Sequence, residues 1–246
     1  MDAIELFVKY LDNEAFNVTK GCKTLKIQTL ENCKELEGKR QDLSESSLKS
    51  FIRPGRYENK PLVLPGASIG GNQSKILIGG EFSVTESFNA YLYSVSLIKQ
   101  EESTLKFGKE RFGEQVCDFF CFSTKYAKIF ADLIGLELQS QLRLNDFQER
   151  SQKVILANGG IEKILIQWII NPVTYLDLKD LETSDGIPDY DKRMIRLIFC
   201  KPREMFYGDR EFRFVWVPII TVNNEYIPLQ VHKEPKIIAL PLIRYF

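Results

Sequence analysis

Near the C-terminal end of the chain, in "GDREFRFVW", polar and apolar residues alternate: Asp209, Glu211 and Arg213 against Arg210, Phe212, Phe214 and Trp216. A two-residue period is that of a strand, whose successive side chains point to opposite faces. Phe212, Phe214 and Trp216 form an aromatic stripe for a core. The opposite face carries two acids and a base, spaced roughly 6.5–7 Å apart. Taken alone, the pattern favours a solvated polar face neutralised by cross-strand partners. A chemical role for Glu211 requires a second group converging on it.

The rest of the chain divides by the same criteria. Residues 4–11, "IELFVKYL", have helical spacing, and residues 23–30, "KTLKIQTL", alternate as a half-buried strand does. Residues 31–50 are charged and serine-rich, as in a loop or frayed helix. Residues 53–80 are rich in Pro, Gly and Asn and read as one long loop. Strands are predicted at "NAYLYSVSLIK", where Tyr91, Tyr93 and Val95 alternate with Leu92, Ser94 and Ser96, and at "VCDFFCFST". "KYAKIFADLIGLELQSQL" has the apolar spacing of a helix. Residues 162–170, "EKILIQWII", suit a strand or a buried helix. "YDKRMIRLIFC", "EFRFVWVPII" and "EPKIIALPLIRYF" are strands by residue type. Seven to nine strands and two or three unevenly placed helices, without regular alternation, predict an α+β domain of mostly antiparallel, split sheets with a few flanking helices. One domain over 1–246 is the expectation.

Charge narrows the choice of partner. The 246 residues hold 33 basic and 33 acidic side chains, for a formal net charge of zero. No global field attracts nucleic acid or an anionic membrane, so any polyanion contact would be local, as at Lys20, Lys23 and Lys26. The acid-bearing opening "MDAIELFVKYLDNE" does not read as a signal peptide. Five irregularly spaced cysteines predict a reducing compartment, the cytoplasm, rather than a disulfide framework. A single histidine and no CxxC pair make structural zinc a poor expectation, and no metal site is assigned.

Among candidate groups, Ser123 and Thr124 end an apolar strand before a helix, where hydroxyls can orient a ligand, hold a carboxylate or cap the helix. Arg53 and Arg56 lie in the Gly/Pro-rich stretch, and arginine can grip phosphate bidentately. The nearby "GASIGG" is not a phosphate-binding glycine loop. Cys117 and Cys121 read as core residues. The acids of "TSDGIPDYDKR" read as a solvated turn.

The order of these motifs carries a resemblance. "TLKIQTLENCKE", "NAYLYSVS", "FCFSTKYAKIFADLI" and "FCKPREMFYGDREFRFVW" resemble, in the same order, strands of a loosely related set of bacterial proteins, many linked to phage defence by abortive infection. That set is distantly similar to the ADP-ribosyltransferase fold of the arginine–serine–glutamate type. The resemblance implies an ADP-ribosyltransferase-like fold with NAD as substrate. Ser123 and Thr124 match the first two positions of a Ser-Thr-Ser strand, and Lys125 replaces the third. Asp209-Arg210-Glu211 matches the acidic-x-Glu motif, which makes Glu211 the implied catalytic glutamate and Asp209 its companion. Where related chains carry an aromatic–arginine pair this one has Cys33-Lys34, so Lys34, Arg53 or Arg56 is the implied pyrophosphate ligand. The implied activity is that of a toxin or phage-defence effector that cleaves NAD and transfers ADP-ribose to a macromolecule (protein, RNA or DNA). An antitoxin or chaperone is a further implied partner, and no membrane is involved. The alternative is a non-enzymatic sensor or interaction module of a defence or toxin–antitoxin system that keeps the fold.

Overall fold

The computed structural model describes residues 5–21, 23–36, 47–52, 55–58, 62–64, 67–69, 75–78, 82–99, 104–176, 198–206 and 208–239. In chain order the elements are strands β1 (Glu5–Leu11) and β2 (Thr24–Thr29), with the short helix α1 (Asn13–Phe16) between them, then α2 (Leu30–Leu36). Strands β3 (Ser47–Ile52), β4 (Gly55–Glu58), β5 (Leu62–Leu64), β6 (Ala67–Ile69), β7 (Lys75–Ile78), β8 (Phe82–Ser87) and β9 (Tyr91–Lys99) follow. Next come α3 (Thr104–Phe112), β10 (Asp118–Ser123), α4 (Ala127–Gln141), α5 (Glu149–Ala157), β11 (Leu165–Pro172) and β12 (Thr174–Leu176). The series closes with β13 (Cys200–Pro202), β14 (Glu211–Val222), β15 (Glu225–Pro228) and β16 (Lys236–Ala239). The fold is mixed α+β, with a curled antiparallel sheet and a few helices. Among the described residues no helix is long and apolar enough to cross a membrane.

The sequence reads as one domain, whereas the chain divides into two compact units. One comprises residues 1–38, 89–173 and 207–246, and the other residues 39–88 and 174–206. The first holds an eight-stranded sheet with the path β10-β1-β9-β14-β11, on which β15 pairs with β14, and β2 joins β9 to β16. β14 lies between β9 and β11, and its residues from Arg213 to Ile220 are all buried. Its aromatic stripe meets α4. Phe122 stacks on Phe130 at 4.5 Å between ring centroids, Phe214 meets Phe130 edge-on at 5.1 Å, and Phe7 lies 4.9 Å from Phe212. Such pairs contribute about 0.5–1.5 kcal/mol each beyond the area they bury. Gly135 of α4 faces the Trp216 ring, where a Cβ would make ordinary van der Waals contact at 3.4 Å.

Of the stretch 4–11, expected as a helix, residues Glu5–Leu11 form a strand. β1 lies between β9 and β10, with Phe7 and Val8 both buried. A strand covered on both faces is apolar at both parities, and over eight residues that is indistinguishable from helical spacing. α3, on the same unit, packs Phe107 and Phe112 around Tyr10 at 6.2 and 5.2 Å. A Cβ at Gly108 would come within 2.4 Å of the Tyr10 ring. Gly108→Ala is therefore expected to cost about 1–3 kcal/mol by overpacking, read as a lower urea midpoint at unchanged m-value.

In the second unit the stretch expected as a single loop, 53–80, contains strands. β3 pairs with β8, β4 with β7 and β5 with β6, all antiparallel, each pair enclosing the next in chain order. Strands of three or four residues are too short to show a period, so the turn residues dominate the composition. In the same unit β12 and β13 pair in parallel.

Candidate functional site

The polar face of β14 is not solvated, contrary to what alternation alone favours. Arg213 is fully buried, and its Nε donates to Glu211 Oε1 at 2.7 Å. The Glu211 side chain keeps 10% of its surface accessible and that of Arg213 1%. Two residues earlier, buried Asp209 accepts from the Nε of Arg111 on α3. The Arg111 side chain is 32% exposed, against 7% for Asp209. Burying ions is costly unless each is matched, and here both acids meet a guanidinium, the cation best suited to gripping carboxylate.

Backbone geometry aims these groups. The chain enters β14 through a turn in which Gly208 and Arg210 take positive φ, +102° and +49°. That conformation suits glycine and is unusual for arginine. It takes Arg210 out of the strand alternation, leaves it exposed and places its guanidinium 5.2 Å from the Phe107 ring centre. The main chain on either side is held: Leu97 N–H donates to the Arg210 carbonyl and Val173 N–H to the Glu211 carbonyl, both at 2.9 Å. Glu211 thus starts its strand with its backbone tied to neighbours on both sides.

The residues opposite are serines of β9. Ser96 is the register partner of Glu211, and Ser94 that of Arg213. Directly opposed residues have Cβ atoms about 4.5–5.5 Å apart. Ser96 is itself buried. One face of two central strands therefore collects glutamate, arginine and serine.

The structure joins only some of the sequence candidates. Asp209 and Glu211 share one corner of the sheet. Ser123 ends β10 and Thr124 opens a short 3-10 helix, and β1 and β9 lie between their strand and β14. The register runs Glu211, Ser96, Val8, Cys121, with Ser123 two residues farther along β10. Three strand spacings amount to roughly 14 Å along a sheet. Neither hydroxyl makes the expected cap, because Ser123 precedes its helix with no side-chain cap bond, as does Tyr126 before α4. Lys34 lies in α2, Arg56 lies on β4 in the other unit, and Arg53 is outside the described residues.

Other candidates resolve differently. Lys20 donates to Asp118 Oδ2 at 2.6 Å, and this bond holds the Asp118 carboxyl below the usual carboxylate range. Cys117 is exposed rather than core, because it precedes β10. Cys121 is partly buried, and that burial pushes its thiol up. The acids from Asp185 to Asp191 are outside the described residues. Ser94, Ser96 and Arg111 were not among the sequence candidates. The serines had left a signal, alternating with Tyr93 and Val95 on one strand face. Arg111 had left none, since α3 was not predicted.

Comparison of the chain with protein-family models, curated proteins and solved structures finds no match.

Proposed function

We propose that this chain is an ADP-ribosyltransferase-like enzyme, a toxin or phage-defence effector that cleaves NAD with Glu211 and passes ADP-ribose to a macromolecule. The observation carrying the reading is the placement of Glu211 opposite Ser96 and beside Arg213 on the two central strands. Ser96 here takes the part that the resemblance implies for Ser123. In the reaction the bond between the ribose C1′ and the nicotinamide nitrogen breaks, and nicotinamide leaves with the electron pair. A lone pair of the acceptor forms the new bond to C1′, and the acceptor's proton passes to solvent. Positive charge develops on the ribose in between, and a fixed carboxylate facing it lowers the barrier electrostatically. Arg213 sets the orientation of that carboxylate, and Ser96 offers a hydroxyl to the ribose or to Glu211.

The test is transfer of label from NAD to cell extract and nucleic acid, comparing wild type with Ser96→Ala and Glu211→Gln. Ser96→Ala leaves the ion pair in place and is expected to lower transfer about 10- to 100-fold, the effect of one lost hydrogen bond to a charged group. No transfer and no NAD consumption by the wild type would end the proposal.

One observation favours the second reading, a non-enzymatic module that keeps this scaffold. Both carboxylates of the acidic-x-Glu motif already engage guanidinium groups, and Ser123 and Thr124 lie beyond two intervening strands. On that reading the ion pairs are structural, one fixing the polar face of β14 and the other tying the turn before it to α3. A thermal-shift titration separates the two, because NAD raises the melting temperature only if the native state binds it.

A further inference from the structure

We propose that the chain self-associates through β11: a second copy lays its own β11 antiparallel along the outer edge of the first, about a twofold axis at Trp168. Among the described residues β11 has β14 as its ladder partner and ends the sheet path, so its other side is an edge. Across that ladder Val173 N–H donates to the Glu211 carbonyl. Alternate residues of an antiparallel strand turn both main-chain groups to one side, so Leu165, Gln167, Ile169 and Asn171 address β14. Ile166, Trp168 and Ile170 turn theirs outward. An edge of this kind is a template for another strand, and natural edges are commonly blunted by charge. None of the eight residues from Leu165 to Pro172 is charged.

The two ends of the open ladder select the strand that fits. Pro172 has no N–H to give. At the other end Ile164 donates its N–H to the Ile161 carbonyl, and its own carbonyl accepts from Gln139 Nε2 at 3.2 Å. The open segment therefore runs from Ile166 to Ile170 and is symmetric about Trp168. A copy of itself matches it: Trp168 opposes Trp168 and Ile166 opposes Ile170, with about six main-chain hydrogen bonds and no like charges brought together. The helix beside the edge follows the same symmetry. On α4, Asp132 accepts from Trp168 Nε1 at 2.6 Å and Gln139 reaches Ile164, which fixes the helix face turned to the edge. Ile129 and Leu136 lie on that face, 51% and 66% exposed. A twofold axis at Trp168 sets the two α4 faces antiparallel, with Ile129 of one copy toward Leu136 of the other, and takes both from water. An extended peptide of another protein would satisfy the main chain but leave this helix stripe uncovered.

Sedimentation equilibrium of the full chain tests this, with a passage from monomer to dimer expected between about 1 and 100 μM, the range of a small interface. Leu136→Lys alters an exposed position, so the fold is retained, and is expected to weaken the dimer about tenfold or more. The register is tested by Gln167→Cys combined with Ile169→Cys. These positions oppose each other across the axis in a pair without main-chain hydrogen bonds, about 4.5 Å between Cα atoms and within disulfide reach. Mild oxidation is expected to give a covalent dimer of the double variant and none of Gln167→Cys alone. A wild type that stays monomeric throughout the range would overturn the proposal. So would a dimer that Leu136→Lys leaves unchanged, or one in which the cysteine pair does not cross-link. None of these outcomes depends on NAD cleavage by Glu211.

Discussion

Arg213→Ala is expected to lower the unfolding free energy by about 3–5 kcal/mol, because it strands the Glu211 carboxylate without its buried partner. The guanidinium sits in the middle of the sheet with 1% of its side-chain surface exposed, 2.7 Å from Glu211 Oε1. Removing it takes away the compensating charge and opens a large cavity, and water has little access to either. Replacing both residues, as in Glu211→Leu with Arg213→Leu, is expected to cost much less, since the desolvation of both ions disappears with them. Urea denaturation of the two single variants and the double variant gives the coupling directly. A single-variant loss below about 1 kcal/mol would mean that the pair behaves as a surface pair and that the face is wet.

Trp216→Ala is expected to cost a similar amount, about 3–5 kcal/mol, for a different reason. The indole is fully buried, and its N–H donates to the Ala131 carbonyl on α4 at 2.9 Å. It stacks near Phe214 at 6.2 Å and stands against Gly135, so its loss leaves a void where α4 crosses the sheet. Trp216→Phe retains most of the ring contact and gives up the hydrogen bond, and is expected to lose about half as much. The same urea titrations, with near-ultraviolet circular dichroism to follow aromatic packing, check the ranking.

These two residues also mark how far the sequence can be read. Trp216 was legible: alternation with Phe212 and Phe214 places the aromatic stripe inward, and α4 supplies the helix that covers it. Arg213 was misjudged, because alternation shows which residues share a face and says nothing of what covers that face. The polar side is buried by packing between segments far apart in the chain, as where Arg111 of α3 binds Asp209 just before β14. The same cause hid β1, which is apolar at both parities because Phe7 meets the aromatic cluster on one face and α3 packs on Tyr10 on the other. Glu211 and Asp209 were singled out by the resemblance to an acidic-x-Glu motif, and both lie at or just before the start of β14 beside a guanidinium. Their true neighbours were not, because "FCFST" matched a serine motif by letter while the register gave the place opposite Glu211 to Ser96. Arg111 reaches Asp209 only through the packing of α3, which local periodicity did not reveal.

The most direct test of the account is release of free nicotinamide from NAD by the purified chain, wild type against Glu211→Gln, below the melting temperature of both. Nicotinamide release by the wild type and its loss by two orders of magnitude or more in Glu211→Gln, roughly the effect of removing one electrostatic stabiliser, is the expected result. Equal release by the two proteins, or none by either, would contradict the assignment of Glu211 as the catalytic carboxylate.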